Sequence, residues 1–161
     1  ERFRVQLMRY VLILIALPFA LMALLSMVSC SVPKLGLSNG QLLPCPPSPN
    51  CVSSLAPASD TTHHVEPLVM HKSLESTLGG IKTVLASMPR TLIVSESSDY
   101  LRAQCTTLIF RFKDDVEFHI LPSKQLVHIR SGSRSGHSDF GTDRHRVETI
   151  RSAWDAWRSR Q

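Results

Sequence analysis

The chain of 161 residues carries 18 Lys and Arg against 13 Asp and Glu, a formal net charge of +5 with the histidines neutral. Without the apolar leader that length holds a single domain. Losing Arg2, Arg4, Arg9 and Glu1 with the leader would lower the charge to about +3, compatible with contact to anionic lipid or polymer but only weakly so.

Arg9 precedes an uncharged apolar run from Val11 to Leu25, with Pro18 near its middle. A buried core helix would show one polar side, and this run shows none. A spanning helix needs about 20 apolar residues. Val11–Val28 only just reaches that, with polar breaks at Ser26 and Ser29. A secretory signal needs a positive start, an apolar stretch and small residues at the cut. Arg9, Val11–Leu25 and Ser26-Met27-Val28-Ser29 supply them in order, so residues 1–29 read as a signal peptide or membrane anchor. Met8 offers a start that would give a signal of ordinary length.

Met27-Val28-Ser29-Cys30 resembles the lipobox of bacterial lipoproteins, although leucine is commoner where Met27 stands and Val28 is bulkier than usual. The resemblance implies that Cys30 is acylated and becomes the new N-terminus. Ser31 after the cysteine resembles signals sent to the outer membrane rather than kept at the inner one. The implied address is the periplasmic side of a bacterial envelope, lipid-anchored, with an uncleaved transmembrane anchor as the alternative. Several acyl chains hold a protein stably where one does not. Export makes nucleic acid an unexpected partner.

Residues 30–43 read as a lipidated tether, because Ser31–Gln41 is Gly/Ser/Asn-bearing and lacks periodicity. Residues 44–161 read as one domain. Cys45 and Cys51 share a proline-rich loop, and in an oxidising compartment a disulfide between them is the economical reading. So small a loop gains about 2–3 kcal/mol in the chain-entropy model. His63-His64 lies nearby, but the pattern matches no zinc signature, and no metal or other cofactor is expected. Cys105 is left as a buried thiol within a strand.

Val65–Met70 reads as a short edge strand, weakened by Pro67. Ser73 is a candidate N-cap for a helix in which Leu74, Leu78, Ile81, Val84, Leu85 and Met88 recur on one face. Pro89 ends it, and Gly79-Gly80 within it fits only if close packing on a sheet needs small residues. Thr91–Ser95 is a short strand. Tyr100–Phe112 reads as a long one, with Leu101, Ala103 and Cys105 on one face. Its apolar parity then shifts to Leu108, Phe110 and Phe112, which implies a bulge near Thr106-Thr107.

Lys113-Asp114-Asp115 reads as a turn, Val116–Leu121 as a strand, Pro122–Gln125 as a turn and Leu126–Arg130 as a strand. Placing Leu121 opposite Leu126 also places Ile120 opposite Val127 and Phe118 opposite Ile129, a coherent apolar face. The other face then carries Glu117 opposite Arg130 and His119 opposite His128, read as a solvated face with an ordinary cross-strand ion pair. Arg130–Gly141 is a Ser/Gly/Arg-rich loop. Asp143 is a candidate N-cap for a closing helix over Arg144–Arg158, with Val147, Ile150, Trp154 and Trp157 inward. The fold class is α+β: an antiparallel meander of about four strands with two helices on one face, preceded by the apolar signal or anchor helix.

Three segments resemble the domain-of-unknown-function 1499 family of bacterial lipoproteins and organellar proteins. They are Ser38-Asn39-Gly40 through Cys45-Pro46 to Ser54, Phe110–Phe118 around Asp114-Asp115-Val116-Glu117-Phe118, and Arg130–Gly141 running on to Arg144, Arg146 and Glu148. The resemblance covers Ser38–Arg151. One departure is Asp143, where the family usually has Asn. The resemblance implies a grouping of folds and no activity.

Asp114, Asp115 and Glu117 form a carboxylate cluster, and Arg130, Arg134, Arg144 and Arg146 a cationic one. Clusters that meet this way commonly form a structural network. The functional reading uses Arg130, Arg134 and the hydroxyls of Ser131, Ser133 and Ser138, with Asp139 in the same loop, to hold an anionic ligand or dock on a membrane complex. The closing helix would add its N-terminal dipole. An enzyme reading draws Ser131, Ser133 or Ser138 with His119, His128 or His137 and Asp139, but none sits in a nucleophile elbow.

Overall fold

The computed structural model describes residues 2–28 and 33–161. Arg2–Val28 form one helix, α1, with Pro18 inside it. Arg2–Ala20 is exposed, and it is long and apolar enough to cross a membrane. A signal sequence and a membrane anchor share these properties. Cys30, and the acylation expected there, lie outside the described residues.

The stretch expected to be a loose tether ends in structure. Leu37–Ser38 (β1) and Gln41–Leu42 (β2) pair across Asn39-Gly40. Asn39 at φ 51° and Gly40 at φ 72° both occupy the left-handed region. That is the two-residue Asn-Gly turn whose twist matches a hairpin.

Cys51–Ser53 is β3 and Leu68–Val69 is β4. Leu74–Ser87 is α2, capped by Ser73, whose hydroxyl accepts from the Ser76 N–H while the Ser76 hydroxyl accepts from the Ser73 N–H. Thr91–Glu96 (β5), Tyr100–Thr106 (β6), Lys113–Leu121 (β7) and Leu126–Ser133 (β8) follow. Thr142–Arg158 closes the chain as α3. The sheet is antiparallel, ordered β3-β8-β7-β6-β5, with β4 also on the edge of β8. The class is α+β, and the meander is β5 to β8. The β7–β8 register is the expected one, from Leu121↔Leu126 through Phe118↔Ile129 to Glu117↔Arg130.

Both helices lie on one sheet face. Leu101, Ala103, Val116, Phe118, Ile120, Val127 and Ile129 pack against Ile81, Val84 and Leu85 of α2 and Val147, Ile150 and Trp154 of α3. Gly80 lets the helices meet. A Cβ there would overlap Trp157 and lie 2.6 Å from Trp154 Cζ3. The small residue serves a helix contact, not the sheet contact expected.

Four expectations need correction. β6 ends at Thr106 instead of bulging on to Phe112. Thr107–Phe112 leaves the sheet as a loop closed by paired bonds between Thr107 and Phe112, each 2.9 Å. The parity shift marked the end of a strand. Lys113-Asp114-Asp115 is no turn but the first part of β7, with Asp114 opposite Cys105 and Ser133. β8 runs on to Ser133, so the loop begins at Arg134. The sheet's second face is not solvated: Glu117 is 0% and His119 3% exposed.

Candidate functional site

Strand alternation sorts the charged residues into two networks on opposite faces. Side chains one position apart point to opposite sides of a sheet. Asp114 shares the helix face with Val116, and Asp115 shares the far face with Glu117.

On the helix face, Arg146 of α3 bridges Asp114 and Asp143. Ser131 donates to Asp143 Oδ1 at 2.6 Å and Ser133 donates to Oδ2 at 3.1 Å. Arg146 also donates to the Ser131 hydroxyl at 3.0 Å. Asp143 is therefore no N-cap. It is the second residue of α3, turned into the network, and Gly141 occupies the cap position. The capping task falls to Asp139, whose carboxylate accepts from the N–H of Gly141 at 3.1 Å and of Asp143 at 2.6 Å. Two carboxylates here share one guanidinium. Burial pushes the Asp143 carboxyl up to about 7, against the downward pull of Arg146 and of the Ser131 hydroxyl.

On the far face, Glu117 accepts from Tyr100 Oη at 2.8 Å, from Arg130 at 3.0 Å and from the Gly36 N–H at 2.7 Å. The last bond ties the segment leading into the β1–β2 hairpin onto the sheet. Burial, and then the Glu117 carboxylate, push the Tyr100 phenol up, so it stays a donor. Arg134 grips Asp115 with two bonds of 2.6 and 2.9 Å, and donates to Gln104 at 3.2 Å. Arg102 stands 3.6 Å from Asp115. Arg144 is elsewhere, bonded to the carbonyls of Thr61, Thr62 and His64. Each of the four arginines of the expected cationic cluster is held by the protein itself.

Ser131 and Ser133 do not meet His119 or His128. His119 and His128 lie on the far face, whereas Ser131 and Ser133 lie on the helix face and donate to Asp143. His128 pairs instead with Ser54, Nδ1 to Oγ 3.0 Å, and burial pushes its pKa down. Ser138 accepts from the Phe140 N–H at 3.2 Å. Among the described residues no group of three His, Cys, Asp or Glu is placed to hold a metal ion. Cys45 and Cys51 form a disulfide, with Cα atoms 5.6 Å apart. Cys105 is a buried free cysteine whose thiol burial pushes up.

The concave feature of this end of the fold is a cleft of about 400 Å³ between the β6–β7 loop and the loop leading into α3. Phe110, Phe112 and Phe140 wall it. Asp114, Ser133, Ser135 and Ser138 line it too, with Thr107 and Thr142. Of the residues expected at the site, Ser133, Ser138, Asp114 and Asp139 reach the cleft; its aromatic walls were not expected there, because Phe110 and Phe112 alternate as strand residues do. Tyr100, Gln104 and Arg102, which no local motif marks, complete the far-face network.

A family model described as a protein of unknown function (DUF1499) matches residues 41–154. The chain belongs to the DUF1499 family. Comparison with curated proteins yields no match. The matched DUF1499 span contains both charged networks, the disulfide and the cleft, and excludes α1.

Proposed function

We propose that this DUF1499 protein is a membrane-tethered binding module of the cell envelope, and that the cleft beside the start of α3 is its ligand site. The tether is acylated Cys30 or an uncleaved α1. The cleft carries the reading. Its volume of about 400 Å³ falls within the range of ligand pockets, roughly 300–1,000 Å³. Apolar walls with a few converging hydroxyls are the usual composition of such pockets.

The same geometry favours one ligand class. Arg130, Arg134 and Arg146 are paired with carboxylates. Asp114 and Asp139 line the cleft. An uncharged molecule with an apolar body and a hydrogen-bonding head fits this lining better than an anion does. The Cys45–Cys51 disulfide supports an oxidising compartment.

The test is native mass spectrometry of the full chain extracted from its own membrane in mild detergent. A bound small molecule is expected on the parent chain and is lost in Ser138→Trp, which fills the cleft from an exposed loop position. Retention of the molecule by a folded Ser138→Trp chain overturns the assignment.

A further inference from the structure

Leu108 is 68%, Ile109 66%, Phe110 48% and Phe140 99% exposed. The first three sit at the turn of the β6–β7 loop and the fourth in the loop before α3. Phe110 and Phe140 line the same cleft, so the four form one patch at one end of the domain. The patch is presented, not merely left over. The Thr107–Phe112 bonds hold the first loop closed, away from the core. Phe140 is held at φ 55°, a conformation a bulky side chain rarely adopts. Strain of that kind is kept where the surroundings over-determine it, commonly at functional positions.

We propose that this patch enters the lipid bilayer to which the chain is tethered. Three observations select lipid as the occupant. First, the chain carries its own apolar helix of membrane-spanning length. Second, the connection to that membrane is short enough to keep the domain within reach of it. Gly36 is bonded to Glu117 in the middle of the sheet. The eight residue steps from Val28 to Gly36 span at most roughly 30 Å, and a tether from Cys30 is shorter still. A domain of this size has a radius of gyration of about 13 Å, so every part of its surface, the patch included, can reach the bilayer by rotation about that connection. Third, the β6–β7 side of the patch is basic: Leu108–Phe112 contains Arg111 and no acid, and exposed Arg90 donates to the Thr106 carbonyl at the root of the loop, while the acids on the cleft side, Asp114 and Asp139, are bonded to Arg146 and to backbone N–H groups at the start of α3. Aromatic tips flanked by basic residues suit the headgroup boundary of an anionic membrane.

The inference is independent of what fills the cleft, since a ligand can bind whether or not the rim touches lipid. The full chain is reconstituted into vesicles of acyl-brominated phosphatidylcholine with phosphatidylglycerol. Tryptophan emission is read for Phe140→Trp and Ile109→Trp after subtracting the parent chain, whose own tryptophans are in α3. Val69→Trp is the reference: it is 51% exposed but pairs with Leu126, the end of β8 farthest from the patch. Both patch variants are expected to be quenched roughly twofold by the brominated lipid, and Val69→Trp to be unaffected. Arg111→Glu, or omission of phosphatidylglycerol, reduces the quenching. Quenching of folded Phe140→Trp and Ile109→Trp no greater than that of Val69→Trp overturns the proposal. So does a blue shift of their emission that grows with protein concentration in detergent, which assigns the patch to a second copy of this chain.

Discussion

Asp114 and Asp115 are neighbours in β7 and are bound on opposite sides of the sheet. Asp114 meets Arg146 of α3, and Asp115 is held by two bonds from Arg134. Each pair closes one end of a different network, so the two acids are not interchangeable and do not form one acidic patch.

Arg134 and Asp115 have side chains 3% and 1% exposed. Removing one partner of a buried ion pair strands the other charge at a cost of roughly 3–5 kcal/mol. Arg134→Ala is expected to lower the unfolding free energy by that amount in urea titrations. A double-mutant cycle with Asp115→Ala is expected to return a coupling above about 1 kcal/mol. A loss below about 1 kcal/mol for the single variant would show that the pair is solvated.

Asp143 gives the fold a dependence on pH. Its folded value is about 7, above the ordinary carboxylate value of 3.8. Between those values the folded state binds more protons than the unfolded one. The stability contributed is therefore fully present below about pH 4 and is lost as pH rises through 7. At about 1.36 kcal/mol per pH unit the change is on the order of 4 kcal/mol. Asp143→Asn does not titrate and is expected to flatten this loss. The check compares urea midpoints of the parent and Asp143→Asn across that window, so that the histidines common to both cancel. Parallel profiles would assign the dependence to other groups.

Gly80 faces Trp154 and Trp157, which stack with ring centroids 5.1 Å apart. Gly80→Ala gains helix propensity of roughly 1 kcal/mol. The added methyl must displace two large rings, and overpacking costs about 1–3 kcal/mol or more. The expected net effect is a lower melting temperature by calorimetry. Gly79→Ala, with open space around its Cβ, is expected to raise it.

The β7–β8 pairing was legible because one face is apolar at period two, and a slip by one residue would turn that face outward. The two helices were legible from their apolar spacing. The opposite failure came at Lys113-Asp114-Asp115. Three consecutive charged residues resemble a turn, and only their partners make them strand-compatible. Those partners, Arg134 for Asp115 and Arg146 for Asp114, lie 19 and 32 residues away along the chain. The aromatic cleft was illegible for a related reason: Phe110 and Phe112 alternate as strand residues do, and local pattern cannot tell a strand from the loop that follows it.

By itself the sequence determined the apolar N-terminal helix, the α+β class, the pairing of the last hairpin and the two cysteines that join. All of these follow from local periodicity, turn chemistry or closeness along the chain. Only the tertiary structure decided where each charge is spent. The two faces of a sheet carry neighbouring residues to different environments, and whether an arginine meets solvent or a buried carboxylate depends on elements that approach from elsewhere in the chain.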